Sequence, residues 1–185
     1  MGIYIIFQGN EQFEAILAGR EKRVKRQREL IRLFAMPLLS FSLNIPGPDK
    51  LSRPWAKVFA AGLDAVAGKL RERSLESRYR ETGGTAAGHE AFWIVEADAV
   101  RLKELAMVIE RDHPLGRLFD IDVFDEYAEQ FSRESRGGEK RPCVICGGNT
   151  ALCRRSGRHT LENVLRRFEE IARAYFLSPP EPGKR

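Results

Sequence analysis

The sequence predicts an α+β fold of mixed α/β character: one central mixed sheet flanked by helices, with a cysteine-rich segment near the C-terminus. Three observations carry this. Stretches of helical periodicity precede and separate short runs whose apolar residues alternate or cluster as in strands. All three cysteines fall between 143 and 153. The 185 residues suffice for one domain with a buried core, and 43% apolar against 31% charged residues is a globular mixture. The expected division is an α+β body over 1–140 that carries the chemistry, and a Cys-rich segment with a closing helix over 141–185, packed on the same body.

The first element is a helix over about 11–34. Phe13, Ile16, Leu17, Val24 and Ile31 share one side, and Arg20, Arg23 and Arg26 repeat every three residues as a basic stripe beside it. Leu38–Leu43 reads as a strand, ended by Pro46-Gly47-Pro48 because proline cannot join a ladder. A second helix starts at Ser52 with Pro54 in its first turn and runs to about 73. Its inner face holds Trp55, Val58, Phe59, Gly62, Val66 and Leu70. Residues 75–97 read as a hairpin: a polar strand near 76–82, a glycine-rich turn through Gly83-Gly84, and an apolar strand AFWIVEA. Asp98 caps a third helix with Leu102, Leu105, Ala106 and Ile109 inward, and His113 before Pro114 is pushed out of helical geometry. A strand follows over 117–124, with 127–133 expected to return antiparallel to it. A polar loop, RESRGGEKRP, leads into the cysteines. An amphipathic helix over 161–176, with Leu161, Val164, Leu165, Phe168, Ile171, Ala172, Tyr175 and Phe176 on its apolar side, precedes a loose tail.

The formal charge is only +5, yet segments 20–28 and 133–158 each carry a net +5 of their own, which leaves the remainder at −5. Two positive zones on a mildly acidic body point to an anionic partner. No apolar run approaches the roughly 18 residues needed to cross a bilayer, and the N-terminal stretch lacks the basic region of a signal peptide. The expectation is a cytoplasmic protein with no membrane partner.

Within the last strand, FDIDVF, Asp120 and Asp122 stand two residues apart, so both carboxylates share one face while Ile121 and Val123 take the other. Unpaired carboxylates on a half-buried strand are costly. Spaced by about 6–7 Å along the strand, they can hold a hard divalent cation such as Mg²⁺ between them and a polyphosphate. Asp-apolar-Asp-apolar after a glycine-containing turn is the arrangement of nucleotidyltransferase-like enzymes, in which the metal stabilises the attacking and leaving oxygens. His113 lies near the pair in sequence as a base or phosphate contact. No Ser-His-Asp or Cys-His arrangement is legible, so an attacking hydroxyl would come from the substrate.

Cys143-x2-Cys146-x6-Cys153-x5-His159 resembles a zinc knuckle extended to a Cys₃His site, which would hold a structural Zn²⁺; buried, unliganded thiols are the plainer alternative. Arg154, Arg155, Arg158 and His159 directly precede Thr160, the cap of the last helix. Cations there oppose the helix dipole unless an anion joins them. These features also allow a basic, zinc-containing nucleic-acid-binding module, although the aromatic residues sit at helix-core positions rather than among the basic ones, and the aspartate pair would repel phosphate.

Four blocks together resemble the holo-citrate lyase synthase family, the apo-citrate lyase phosphoribosyl-dephospho-CoA transferases. They are Arg20-x2-Arg23-x2-Arg26-Gln27; Pro37-Leu38-x-Ser40-Phe41 with Pro46-Gly47-Pro48; His113-Pro114-Leu115-Gly116-Arg117-Leu118-x-Asp120-Ile121-Asp122-Val123; and Arg141-x-Cys143-x2-Cys146 followed by Cys153-x-Arg155 and His159. The resemblance implies transfer of a phosphoribosyl-dephospho-CoA group from triphosphoribosyl-dephospho-CoA to a serine of the acyl carrier (gamma) subunit of citrate lyase, with release of pyrophosphate. The carrier of malonate decarboxylase, which matures by a parallel reaction, is the alternative acceptor. On this reading Asp120 and Asp122 are metal ligands, and Arg117 and His113 act beside them. Arg117, Arg155 and His159 contact phosphate, Gly116 belongs to the substrate site, Arg20, Arg23 and Arg26 form a substrate or carrier surface, and nucleic acid is not a partner.

Overall fold

A computed structural model describes residues 2–131 and 141–177, with side chains from Glu11 onward. The elements run α1 (Gly2–Phe34), β1 (Leu38–Leu43), α2 (Arg53–Glu72), β2 (Ser77–Thr85), β3 (Gly88–Val95), α3 (Ala99–Asp112), a 3₁₀ turn (Gly116–Leu118), β4 (Phe119–Phe124), α4 (Thr150–Arg155) and α5 (Leu161–Leu177). The four strands form one sheet in the order β2-β3-β1-β4. The α+β class with a central sheet flanked by helices holds, but the sheet is antiparallel at every pairing rather than mixed. No helix among the described residues is long and apolar enough to cross a membrane.

Alternation along the strands gives the sheet two unlike faces. Leu39 and Phe41 of β1, Ala91, Trp93 and Val95 of β3, and Phe119, Ile121 and Val123 of β4 point into the main core. There they meet α2 through Trp55, Val58, Phe59, Val66 and Leu70, and α3 through Leu102, Leu105, Ala106 and Ile109, every one of them buried as its helical spacing predicts. Gly62 has to be glycine, because a Cβ there would overlap the Phe41 ring as α2 crosses the sheet. The opposite face is covered by α1. Leu30 and Ile31 close a smaller apolar cluster over Leu38, Phe92 and Ile94.

Three boundaries differ from expectation. The α1 stripe expected inward is only partly so: Ile31 is buried, whereas Phe13, Leu17 and Val24 are exposed, because the packed face turns through Arg23, Gln27 and Leu30 instead. Gly83 and Gly84 continue β2 opposite Glu90 and His89, and the turn falls one step later, between Thr85 and Gly88, whose φ of +111° suits glycine. The return strand expected over 127–133 is reduced, within the described residues, to a bridge between Phe124 and Gln130 around a turn in which Asp125 accepts from the Tyr127 and Glu129 amides at 2.9 and 2.8 Å. Most of the RESRGGEKRP loop and the tail after 177 lie outside the described residues.

Caps account for the helix ends. Asp98 accepts from the Arg101 amide at 2.8 Å, Asn149 from Leu152 at 3.1 Å and Thr160 from Asn163 at 3.2 Å. Ser52 stands at its helix start without a side-chain cap bond, leaving the Pro54 ring as the start signal.

Candidate active site

In β1, LLSFSL, the leucines and phenylalanine that face the core force Ser40 and Ser42 to face α1. The antiparallel register then sets Glu90, Ser42 and Asp120 in one row across three strands, and Phe92, Ser40 and Asp122 in the next. From α1, Gln27 Nε2 donates to Ser40 Oγ at 2.9 Å, Arg23 Nε to Glu90 at 2.8 Å and Arg23 Nη1 to Ser42 Oγ at 3.3 Å. The apolar half of this sheet face thus holds α1 in place, and the polar half opens into a cleft. Its volume is about 1180 Å³, and Arg20, Arg23, Arg28, Lys50 and Arg154 face it together with Asp120 and Asp122. A second cavity of about 720 Å³ meets the same aspartates from the other side, lined by Asn44, Lys103, Glu110, Arg117, Arg141, Asn149 and Thr150.

Charge of both signs is confined here at a cost. Burial, and then the neighbouring Asp120, raise the Asp122 carboxyl above its usual range, although Lys103, a 2.8 Å hydrogen bond from Gln130 and Arg23 oppose the shift. Opposite, burial and the cations of Arg20 and Arg23 hold the Lys50 ammonium below its ordinary value. Arg23 Nη2 is buried and finds no partner among the described residues. A cation at the aspartates and an anion at Arg20, Arg23 and Lys50 would relieve both strains together. Paired carboxylate oxygens are the donor set that suits Mg²⁺.

The other residues singled out in the sequence divide. Arg117 sits in the 3₁₀ turn rather than in the strand and reaches over to donate to the Pro142 carbonyl at 2.6 Å beside the second cavity. His113 turns away from the aspartates to the core side of the sheet. Its ring lies 5.0 Å from Phe119 and 5.5 Å from Tyr175, Nδ1 accepts from the Leu115 amide at 3.1 Å, and burial lowers its pKa. Gly116 is buried against the end of α3, where a Cβ would overlap the Glu110 carbonyl, so its role in the geometry is packing. Arg26 does not face the cleft. Glu81 holds it with two hydrogen bonds of 2.7 Å on the outer part of the sheet. Arg155 is exposed, and its neighbour Arg154 faces the aspartates instead.

The cysteines come together. The ligand atoms of Cys143, Cys146, Cys153 and His159 all lie within 4.8 Å of one another, a set able to hold a metal ion. Cys146 Sγ stands 3.6 Å from Cys153 Sγ and 3.3 Å from His159 Nε2. The CxxC turn is tight: Gly147 donates to the Cys143 carbonyl at 2.8 Å, Cys143 donates to Gly148 at 2.6 Å, and Gly147 takes φ of +71°. Burial pushes the Cys143 thiol up, but N–H groups of Cys146 and Ile145 aimed at the sulfur bring it below its ordinary value; burial and the neighbouring thiols push Cys153 up to about 11. His159 thus joins this cluster. Arg154 and Arg155 lie in the last turn of α4, where the helix dipole favours cations.

Sequence reasoning missed Lys50, Glu90 and Lys103; Arg154 was noted as a cation before Thr160 but not placed beside the aspartates. For Ser40 and Ser42 a signal existed, since hydroxyls alternating with leucine and phenylalanine mark a strand with one polar face. Nothing local distinguishes Lys50 or Arg154 from solvated cations.

Residues 11–175 match the family model described as apo-citrate lyase phosphoribosyl-dephospho-CoA transferase. Among curated relatives, a probable apo-citrate lyase phosphoribosyl-dephospho-CoA transferase of Vibrio cholerae is 34% identical over 163 residues, covering 88% of this chain and 92% of its own. The apo-citrate lyase phosphoribosyl-dephospho-CoA transferase of Citrobacter koseri is 33% identical and that of Escherichia coli 31%, each over 156 residues, or 84% of this chain and 85% of theirs. With the polar sheet face, the cleft and matches of this extent, the chain belongs to the apo-citrate lyase phosphoribosyl-dephospho-CoA transferase family.

Proposed function

We propose that this chain transfers the phosphoribosyl-dephospho-CoA group of triphosphoribosyl-dephospho-CoA to a serine of the citrate lyase acyl carrier subunit. The observation that carries the reading is the facing of opposites across one cleft: Asp120 and Asp122 on β4, and Arg20, Lys50 and the half-satisfied Arg23 guanidinium across from them. A volume of about 1180 Å³ exceeds what a drug-sized ligand fills and accommodates a nucleotide with a long arm. Phe13, Ile16 and Val24, which border the cleft, offer apolar surface to that arm.

In the reaction the carrier serine Oγ bonds to the innermost phosphorus of the triphosphate. The bond from that phosphorus to the bridging oxygen breaks, pyrophosphate leaves with the electron pair, and the serine proton passes to solvent. Asp120 and Asp122 would hold Mg²⁺, which when bound supplies charge neutralisation at the phosphate oxygens. Arg20, Arg23 and Lys50 bind the outer phosphates and stabilise the charge that collects on pyrophosphate. Gln27 and Glu90 orient the polar row through Ser40 and Arg23. The exposed Arg155 and Arg158 of the cysteine segment meet an acidic carrier. The Cys₃His set, apart from the transferred group, holds a structural Zn²⁺. The reading places the chain in the cytoplasm, where the substrates are made.

Mass spectrometry of the apo carrier incubated with this protein, triphosphoribosyl-dephospho-CoA and Mg²⁺ tests the reading. The expected result is a mass gain equal to the prosthetic group, lost with EDTA and reduced about 100-fold or more in Asp120→Asn and Asp122→Asn. Full transfer by both variants would overturn the metal role. Absence of any gain on the citrate lyase carrier, with gain on the malonate decarboxylase carrier, would reassign the acceptor.

A further inference from the structure

We infer that Cys143, Cys146, Cys153 and His159 bind one Zn²⁺, and that this ion locks the segment 141–159 as a strap along the outer edge of β4, fixing the strand that carries Asp120 and Asp122. The zinc assignment rests on the reading above, and the locking goes beyond it.

All four ligand atoms lie within 4.8 Å of one another, and two of their separations are close to those of a zinc site. A tetrahedron with Zn–S near 2.3 Å separates its sulfurs by about 3.8 Å, and replacing one sulfur by an imidazole nitrogen shortens that edge to about 3.6 Å. The Cys146–Cys153 and Cys146–His159 separations are 3.6 and 3.3 Å. A disulfide would need its sulfurs near 2.05 Å, and an odd set of three thiols would leave one over. Beyond Val144 against the main core and the polar ties of residues 141–142, the segment buries little of itself. Only Cys143 and Cys153 of α4 and the CxxC turn are buried, Leu152 is 53% exposed, and α4 has six residues, too few to be stable alone. Short chains of this kind gain their fold from the metal.

The strap has specific attachments to the sheet. β4 is an edge strand; of its outer carbonyls, Val123 accepts from the Phe131 amide and Ile121 from Lys103, which leaves the Phe119 carbonyl to the strap. Arg141 donates to the Phe119 carbonyl at 2.7 Å and pairs with Glu110, whose Oε1 in turn accepts from the Ile121 amide at 2.9 Å. Arg117 donates to the Pro142 carbonyl, and Thr150 Oγ1 to the Arg141 carbonyl at 2.7 Å, which ties the first residues of the strap to α4. These bonds bracket Asp120 on both sides. Zinc sets the far end of the strap, and the arginines transmit its position to β4.

Three measurements on the full-length chain test this without reading transfer. Elemental analysis after zinc loading and desalting should find one Zn²⁺ per chain, and Co²⁺ in its place should give thiolate-to-cobalt charge-transfer absorption. Cys153→Ser should weaken Co²⁺ binding about tenfold or more, whereas His159→Cys, which keeps four soft donors, should retain it. Hydrogen exchange with and without a strong chelator should show faster exchange of the amides of 143–158 and of Ile121 in the stripped chain. Binding well short of one ion, a Cys146–Cys153 disulfide, or Co²⁺ affinity unmoved in Cys153→Ser would overturn the site. Zinc bound at full occupancy with exchange at Ile121 unchanged on its removal would overturn the locking. A chain that meets every one of these expectations yet modifies no carrier would sink the transferase reading and leave this one standing.

Discussion

Asp122 bears an electrostatic cost on the polar sheet face. Its carboxyl is held above the usual range by burial and by Asp120. A carboxyl whose folded-state pKa is raised costs nothing below its unfolded value; the cost grows as pH rises from the unfolded value and is complete above the folded one. Asp122→Asn removes that burden and keeps an oxygen for the Gln130 donor. In magnesium-free buffer its Tm should therefore exceed the parent's by roughly 2–4 °C at pH 7, a difference that disappears near pH 3. Thermal melts at the two values check this, and equal melting temperatures at pH 7 would contradict it. Arg23 and Arg26 show how neighbouring members of one stripe part company. Three residues apart on a helix, they meet different strands, Arg23 the polar row at Glu90 and Arg26 the outer strand at Glu81.

At the scale of elements, the HPLGR turn is a joint between α3 and β4. The helix ends because His113 takes an extended backbone ahead of proline, and the 3₁₀ turn then folds so tightly that Gly116 lies on the last carbonyls of α3. Gly116→Ala should cost about 2 kcal/mol or more, since the atom it meets is backbone and cannot swing aside. Because the turn leads directly into β4, the variant should also lose transfer activity beyond what its unfolded fraction explains. Urea unfolding beside the carrier assay separates the two effects. An unchanged midpoint would refute the packing role. The β1 strand shows the complementary principle, in which a period-two pattern serves two faces at once: Leu39 and Phe41 secure the core, and the serines between them hold α1 at a fixed register.

Over the whole molecule, net charge understates the field. The +5 total hides cations gathered on one wall of the cleft and aspartates on the other. On the proposed reading, a substrate bearing a triphosphate would be drawn by the cationic wall and held beside the aspartate pair. Its KM should rise about threefold between about 0.05 and 0.2 M salt, while kcat changes little, because screening weakens encounter more than chemistry in a desolvated site. A KM independent of salt would argue against the cationic wall as the phosphate site. The cleft exists at this scale alone. α1 comes from the start of the chain, Lys50 from the loop after β1, and Arg154 from the cysteine segment near its end.

The sequence by itself determined the helices and strands of the body, the inner faces of α2 and α3, the aspartate pair on one strand face and the thiol-imidazole set. Each of these follows from spacing a few residues long: 3.6 for a helix face, two for a strand, and the short separations of a metal knuckle. The family blocks, read in order, carried the reaction. What the tertiary structure alone decided is which polar groups meet. Register across β3, β1 and β4 joined Glu90, Ser42 and Asp120, and the crossing of α1 chose Arg23 over Arg26. The tight turn after α3 sent His113 to the core side. Helical periodicity misjudged α1 because one half of its packed face is polar. A stripe of arginine and glutamine against serine and glutamate carries no hydrophobic signal, so only the placement of the helix over the sheet revealed it.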